Sequence, residues 1–168
     1  MSRALFIIDV QNDFTEGGAL GVIGGNGVAA GITELVRANP GRYDHVFASR
    51  DWHDGSNDNG GHFATDGDPD YIDTWPAHCV SGTPGAEYNP AIDESLIDVH
   101  VRKGQGKPAY SIFEGTTDAG TTVAETLDAL ATGRSVRVLT GLIAGVAATS
   151  SAAALDELAA AGAELTEG

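Results

Sequence analysis

Apolar positions along the chain fall in short blocks that alternate between two rhythms. Ala4-Leu5-Phe6-Ile7-Ile8 is a continuous apolar run that stops at Asp9, the pattern of a central strand covered on both faces. Over residues 26–37, Val28, Ile32, Leu35 and Val36 recur at helical spacing. Tyr43 to Ser49 reads as a second strand around Val46-Phe47-Ala48, and Leu96 to Val101 as a third. Residues 121–132 predict a helix with Val123, Leu127 and Leu130 on one side and Gly133 as its stop. Val136 to Leu139 follows as a fourth strand. Thr149 or Ser150 then caps a last helix that runs through Ala161 and ends at Gly162, and Ala163-Glu164-Leu165 closes as an edge strand. Strand and helix alternate throughout, which predicts one α/β domain over residues 1–168, a three-layer α/β/α fold with a mostly parallel central sheet. In such sheets the ligand sits beyond the carboxyl ends of the strands, where Asp9, Asp51 and Lys103 all fall.

Composition narrows the partners. The 168 residues carry 9 Lys plus Arg against 24 Asp plus Glu, a net charge of −15. Nucleic acid and anionic membrane surfaces want a basic face and are excluded as partners. No apolar run approaches the roughly 20 residues of a membrane span. A single Cys allows no internal disulfide, and the N-terminus lacks the long apolar region and cleavage site of a signal peptide, so the expected location is the cytoplasm. Oligomeric state stays open between monomer and small homo-oligomer.

Residues 51–90 break the rhythm with a long irregular stretch rich in Asp, Gly, Asn and Pro. It holds three of the five His and both Trp, which argues for function over slack. Asp51-Trp52-His53, His62 and His78 form its strongest cluster. In extended chain, residues i and i+2 point the same way, so Asp51 and His53 can share a ligand. One carboxylate and three imidazoles suit Zn²⁺, Mn²⁺ or Fe²⁺ and leave positions open for water or substrate; the competing reading is a set of solvated loop histidines. Asp9 is either an acid that caps the next turn or a general base held in a crevice. Lys103 is either a surface lysine or a cation that steadies an anion at a strand end; Lys107 is the chain's other lysine. Cys79 is a candidate nucleophile, or a small buried hydrophobe. If its segment is extended, a His78 aimed at a metal turns Cys79 to the opposite side. Phe14 and Trp75 are core rings, or a sandwich for a flat substrate.

Taken together these segments resemble the nicotinamidases within the isochorismatase-like cysteine hydrolases. The resemblance lies in Ala4 to Phe14, in Ser49-Arg50-Asp51-Trp52-His53 with His62-Phe63, in Thr74 to Glu87, and in Lys103-Gly104 with Ala109 to Gly115. It resumes from about Asp128 to Leu165. The resemblance implies hydrolysis of nicotinamide to nicotinate and ammonia through a Cys thioester, with Asp9 as general base and Lys103 as second triad member. It implies one divalent metal, Zn²⁺ before Fe²⁺ or Mn²⁺, on Asp51, His53, His62 and His78, and a substrate ring held by Phe14 and Trp75 with Tyr110 nearby.

The chain departs from that family pattern at one place. The Gly-x-x-Thr-Asp-x-Cys-Val-type segment that carries the family's nucleophile is missing, and the match breaks between about Thr122 and Asp128. One family helix runs straight into the tail of a later one, and a strand, a catalytic loop and half a helix, on the order of two dozen residues, have no counterpart. Cys79 does not fill the vacancy, because the family has a Cys there as well. Losing a central strand opens two strand edges at a cost above the roughly 5–15 kcal/mol that holds a domain folded, so the expectation is a longer parent polypeptide. The alternatives are a true internal deletion, or a relative that binds metal or nicotinamide without catalysis; a hydrolase of another small amide keeps the fold and changes the ring pocket.

Overall fold

The computed structural model describes residues 3–130, 135–145 and 148–167. Four strands form the main sheet in the order β1 (Ala4–Ile7), β2 (His45–Asp51), β3 (Val99–Lys103), β4 (Thr116–Thr117). The first three run parallel, and β4 is antiparallel to β3. Helix α1 (Gly25–Ala38) crosses from β1 to β2, as the 26–37 periodicity predicts.

Alternation along the strands sends side chains to two cores. Ile7, Val46 and Ala48 pack with Ala29 and Ile32 of α1 on one face. Phe47 and Val101 pack on the other with Ile112 and with Val123 of helix α2 (Val123–Leu130). Helices on both faces give the three layers expected. α2 starts at Val123 because Thr122 and Glu125 cap it reciprocally: the Glu125 amide donates to Thr122 Oγ1 at 3.1 Å, and the Thr122 amide to Glu125 Oε2 at 2.8 Å. This helix runs unbroken through the place where the family resemblance breaks. Its expected stop, Gly133, lies outside the described residues.

Among the described residues the sheet does not continue past β1. Strands β5 (Arg137–Leu139) and β6 (Glu164–Thr166) form a separate parallel pair, with helix α3 (Ala148–Ala160) between them in sequence. The most apolar strand of the chain therefore ends the main sheet, and Ile8, Val136, Ile143 and Leu165 stand exposed. Both results follow if one strand that would join the two sheets is absent.

Three expectations shift. The third strand begins at Val99, because Asp93 caps a 3₁₀ turn over Glu94–Leu96 and consumes the predicted start. The second strand runs on to Asp51, since its partner β3 continues in register to Lys103. α3 is described from Ala148, so Thr149 and Ser150 lie within it and do not cap it; the alanine-rich segment around them favours helix. Its end is as expected, with Gly162 at φ +94°. Among the described residues no helix is long and apolar enough to cross a membrane.

Candidate active site

Three strand ends deliver the ionisable groups to one edge. Asp51 and Lys103 close β2 and β3 and are register partners, and Asp9 lies two residues beyond β1. The buried Lys103 ammonium stands 3.0 Å from Asp9 Oδ2, donates to Asp51 Oδ1, and gives its third hydrogen to the Ala109 carbonyl at 3.2 Å. One cation thus neutralises two carboxylates.

The electrostatics follow from that bridge. Burial raises the Asp9 carboxyl above its usual range, and Lys103 offsets this only in part. Burial pushes Asp51 the same way, but the neighbouring His53 and His78 rings and the charge of Lys103 hold it well below the usual carboxylate range. Burial alone would lower Lys103; the two carboxylates outweigh it and raise it. Asp9 sits at φ +53°, a left-handed conformation that an Asp adopts at some cost. Ser49 holds it there: its Oγ donates to Asp9 Oδ1 at 2.7 Å, and its carbonyl accepts the Asp9 amide at 3.2 Å.

Beside the carboxylates lie His53, His62 and His78, all buried, with candidate ligand atoms within 4.8 Å of one another. His53 Nδ1 donates to the Gly104 carbonyl at 2.8 Å, and His78 Nδ1 to the Pro76 carbonyl at 2.8 Å. A carbonyl only accepts, so both rings carry hydrogen on Nδ1 and keep a lone pair on Nε2. Those Nε2 atoms lie 3.6 and 3.7 Å from Asp51 Oδ2. His62 Nδ1 meets the Tyr110 hydroxyl at 3.4 Å. The Nε2 atoms of His53 and His62 are buried without a hydrogen-bond partner. Buried, unpartnered lone pairs facing a carboxylate are what a divalent cation would satisfy, and three imidazoles with one carboxylate match Zn²⁺, Fe²⁺ or Mn²⁺. Burial, then the neighbouring His53 and His78, push His62 down to about 4, so it is neutral and ready to ligate near pH 7.

Gly104 is required where it stands. Its φ is +76°, and a Cβ would fall 2.5 Å from His53 Cε1.

The remaining candidates divide. The Phe14 ring lies 5.4 Å from that of His78. Trp75 is tied through its backbone, its amide donating to the His62 carbonyl at 2.9 Å, while its indole meets Tyr71 edge-on. Tyr110 is exposed at the rim, its ring 5.7 Å from His62. Cys79 is not in extended chain as expected: it turns at φ +46°, its amide bound by Asp13 Oδ2 at 2.7 Å. Its thiol is directed to the Gly85 carbonyl at 3.9 Å, fully buried and pushed far up by burial. Sequence reasoning passed over Gln11, Ser49 and Gly104. The signal for Ser49 was the period-2 rule, since it precedes Asp51 by two on one strand.

Residues 3–155 match the Isochorismatase domain model. The chain is 42% identical to the Mycobacterium tuberculosis nicotinamidase/pyrazinamidase, over 97% of each chain. That alignment spans 187 positions against the 168 residues here, so at least 19 positions have no residue of this chain opposite them. Among solved structures, PnC1 from L. infantum in complex with nicotinate is 28% identical, with TM-score 0.79 over 99% of this chain and 92% of that one. The pyrazinamidase of Pyrococcus horikoshii in complex with zinc is 28% identical, with TM-score 0.73 over the whole of both chains. With its parallel sheet, its two helical layers and this match over most of its length, the chain belongs to the isochorismatase domain family.

Proposed function

We propose that the protein is a metal-dependent amidohydrolase of the nicotinamidase type, converting nicotinamide to nicotinate and ammonia. The observation that carries this reading is the Lys103 bridge between Asp9 and Asp51, set against three buried histidines, two of them with unpartnered Nε2 atoms. Asp51, His53, His62 and His78 would hold the ion, Zn²⁺ before Fe²⁺ or Mn²⁺. When bound, such an ion supplies Lewis acidity and a fixed positive charge for the substrate. Asp9, raised by burial, accepts a proton at its carboxylate, and Lys103 keeps that carboxylate in place. Phe14, Trp75 and Tyr110 hold the flat ring. The relatives' substrates support the assignment, the M. tuberculosis protein being named for nicotinamide and pyrazinamide and the L. infantum protein binding nicotinate. Such a reaction serves pyridine-nucleotide salvage in the cytoplasm.

One observation favours a second reading. The chain's single thiol is fully buried and directed to the Gly85 carbonyl, and burial holds it far above its usual value, which disfavours a nucleophilic thiolate. A relative that binds metal and nicotinamide without turnover would look this way. Zinc-loaded protein given nicotinamide separates the two. Ammonia release supports the amidohydrolase, calorimetric binding without release supports the binding protein, and neither result would reject both.

A further inference from the structure

We infer that Gln11 is a positioning residue that sets where the Asp51 carboxylate stands. It does so by replacing, with one side chain, the strand that β1 no longer supplies at that point. The inference rests on the reading of Asp51 and the three histidines as a metal site.

β1 pairs with β2 as far as Ile7 opposite Ala48, and one further bond runs from the Asp9 amide to the Ser49 carbonyl. At Asp9 the backbone enters the left-handed region and turns back, and the Asp9 carbonyl accepts the Gln11 amide at 2.9 Å. Asp51, next along β2, is then left with an amide and a carbonyl that no strand residue meets on that side. Both are buried groups that need partners. The Gln11 side chain supplies both: its Oε1 accepts the Asp51 amide at 2.8 Å, and its Nε2 donates to the Asp51 carbonyl at 2.9 Å. The second Nε2 hydrogen goes to the Ala86 carbonyl at 2.8 Å. Gln11 is fully buried, and both of its donors are used.

On the other side the Trp52 amide donates to the Lys103 carbonyl at 2.8 Å. The main chain at Asp51 is thus clamped between β3 and a side-chain amide. Its carboxylate is thereby held with one oxygen on Lys103 and the other within 4 Å of His53 and His78 Nε2. Only a planar group that both donates and accepts, at this reach, can complete the pairing.

The test is zinc affinity, by competition with a chromophoric chelator, together with the visible spectrum of the cobalt-substituted protein. Gln11→Met keeps the length and removes every polar atom. It is expected to weaken zinc binding about 10- to 100-fold and to shift the cobalt bands. The control is Asn89→Leu. Asn89 is a buried amide whose side chain bonds Thr15, Asn26 and Ala91 and none of Asp51, His53, His62 or His78, so this variant loses stability but keeps zinc affinity within about twofold. Gln11→Glu retains acceptance of the Asp51 amide and is expected to fall between the unsubstituted protein and Gln11→Met; it carries the test if Gln11→Met does not fold. Unchanged zinc affinity in a folded Gln11 variant overturns the inference, as does an equal loss in Asn89→Leu. Zinc binding to the unsubstituted chain without ammonia release would defeat the amidohydrolase reading and leave this one standing; no zinc binding at all would defeat this one.

Discussion

The ammonium of Lys103 stands 3.0 Å from the carboxylate of Asp9, although the two residues come from β3 and the end of β1, with β2 between them. The contact exists because both side chains project past the carboxyl edge of the sheet, where Asp51 from β2 joins them. Removing the shared cation would leave two buried carboxylates facing each other. Lys103→Met is therefore expected to cost about 3–5 kcal/mol at pH 7. The variant's carboxyls would titrate above their unfolded values, so its native state binds protons first and its stability rises as pH falls. Urea unfolding at pH 7 and at pH 5 measures both effects; a stability loss that stays constant with pH would contradict this assignment of charge.

His62 makes the opposite prediction for the metal-free protein. Its native value is about 4 against an ordinary 6.5. The neutral ring is fully accommodated above the unfolded value, and stability is lost as pH falls from about 6.5 to about 4, by at most about 3 kcal/mol. His62→Gln should flatten that part of the stability profile, and a profile identical to that of the unsubstituted protein would show that His62 titrates normally.

Gly104→Ala puts a Cβ within 2.5 Å of the His53 ring and strains a backbone at φ +76°. We expect a loss of about 1–3 kcal/mol and a fall in zinc affinity beyond what the stability loss brings. Retention of full zinc affinity would mean that the His53 ring tolerates displacement.

Cys79 should behave as a structural thiol. Buried and held far above its usual value, it is expected to resist iodoacetamide at pH 8 in the native protein and to react once the protein is unfolded. Cys79→Ala should leave any ammonia release unchanged. Rapid native alkylation, or loss of turnover in a folded Cys79→Ala protein, would return Cys79 to the reaction.

Much of this was legible in the residues. The run from Ala4 to Ile8 announced a strand ending in an acid, though not that it would end the sheet, and the helical spacing over residues 26–37 announced α1. The Asp-x-His pair with two later histidines announced the histidine cluster, because the chemistry lies in residue type and the fold brings the types together. What stayed hidden depends on neighbours. A strand's apolar pattern reports its own burial and says nothing of which strand lies beside it, so the split between β1 and the β5–β6 pair was visible only through what the family pattern lacks. The partners of Gln11 are main-chain groups, which no side-chain pattern records. The third strand slipped because Asp93 found a local amide partner in Ser95 and closed a turn first.

The split sheet has its own signature. β5 and β6 pair only with each other among the described strands, while β2 is paired on both sides. Hydrogen exchange is therefore expected to be at least about tenfold faster at amides of β5 and β6 than at those of Val46 to Ser49. Equal protection would mean that the two sheets open as one unit.

The most direct test of the metal centre is a crystal of the zinc-soaked protein measured at the zinc absorption edge. One anomalous peak per chain is expected, about 2.0–2.2 Å from Nε2 of His53, His62 and His78 and beside the Asp51 carboxylate. A zinc-loaded crystal with no peak among these four residues, or with its peak elsewhere, would contradict it.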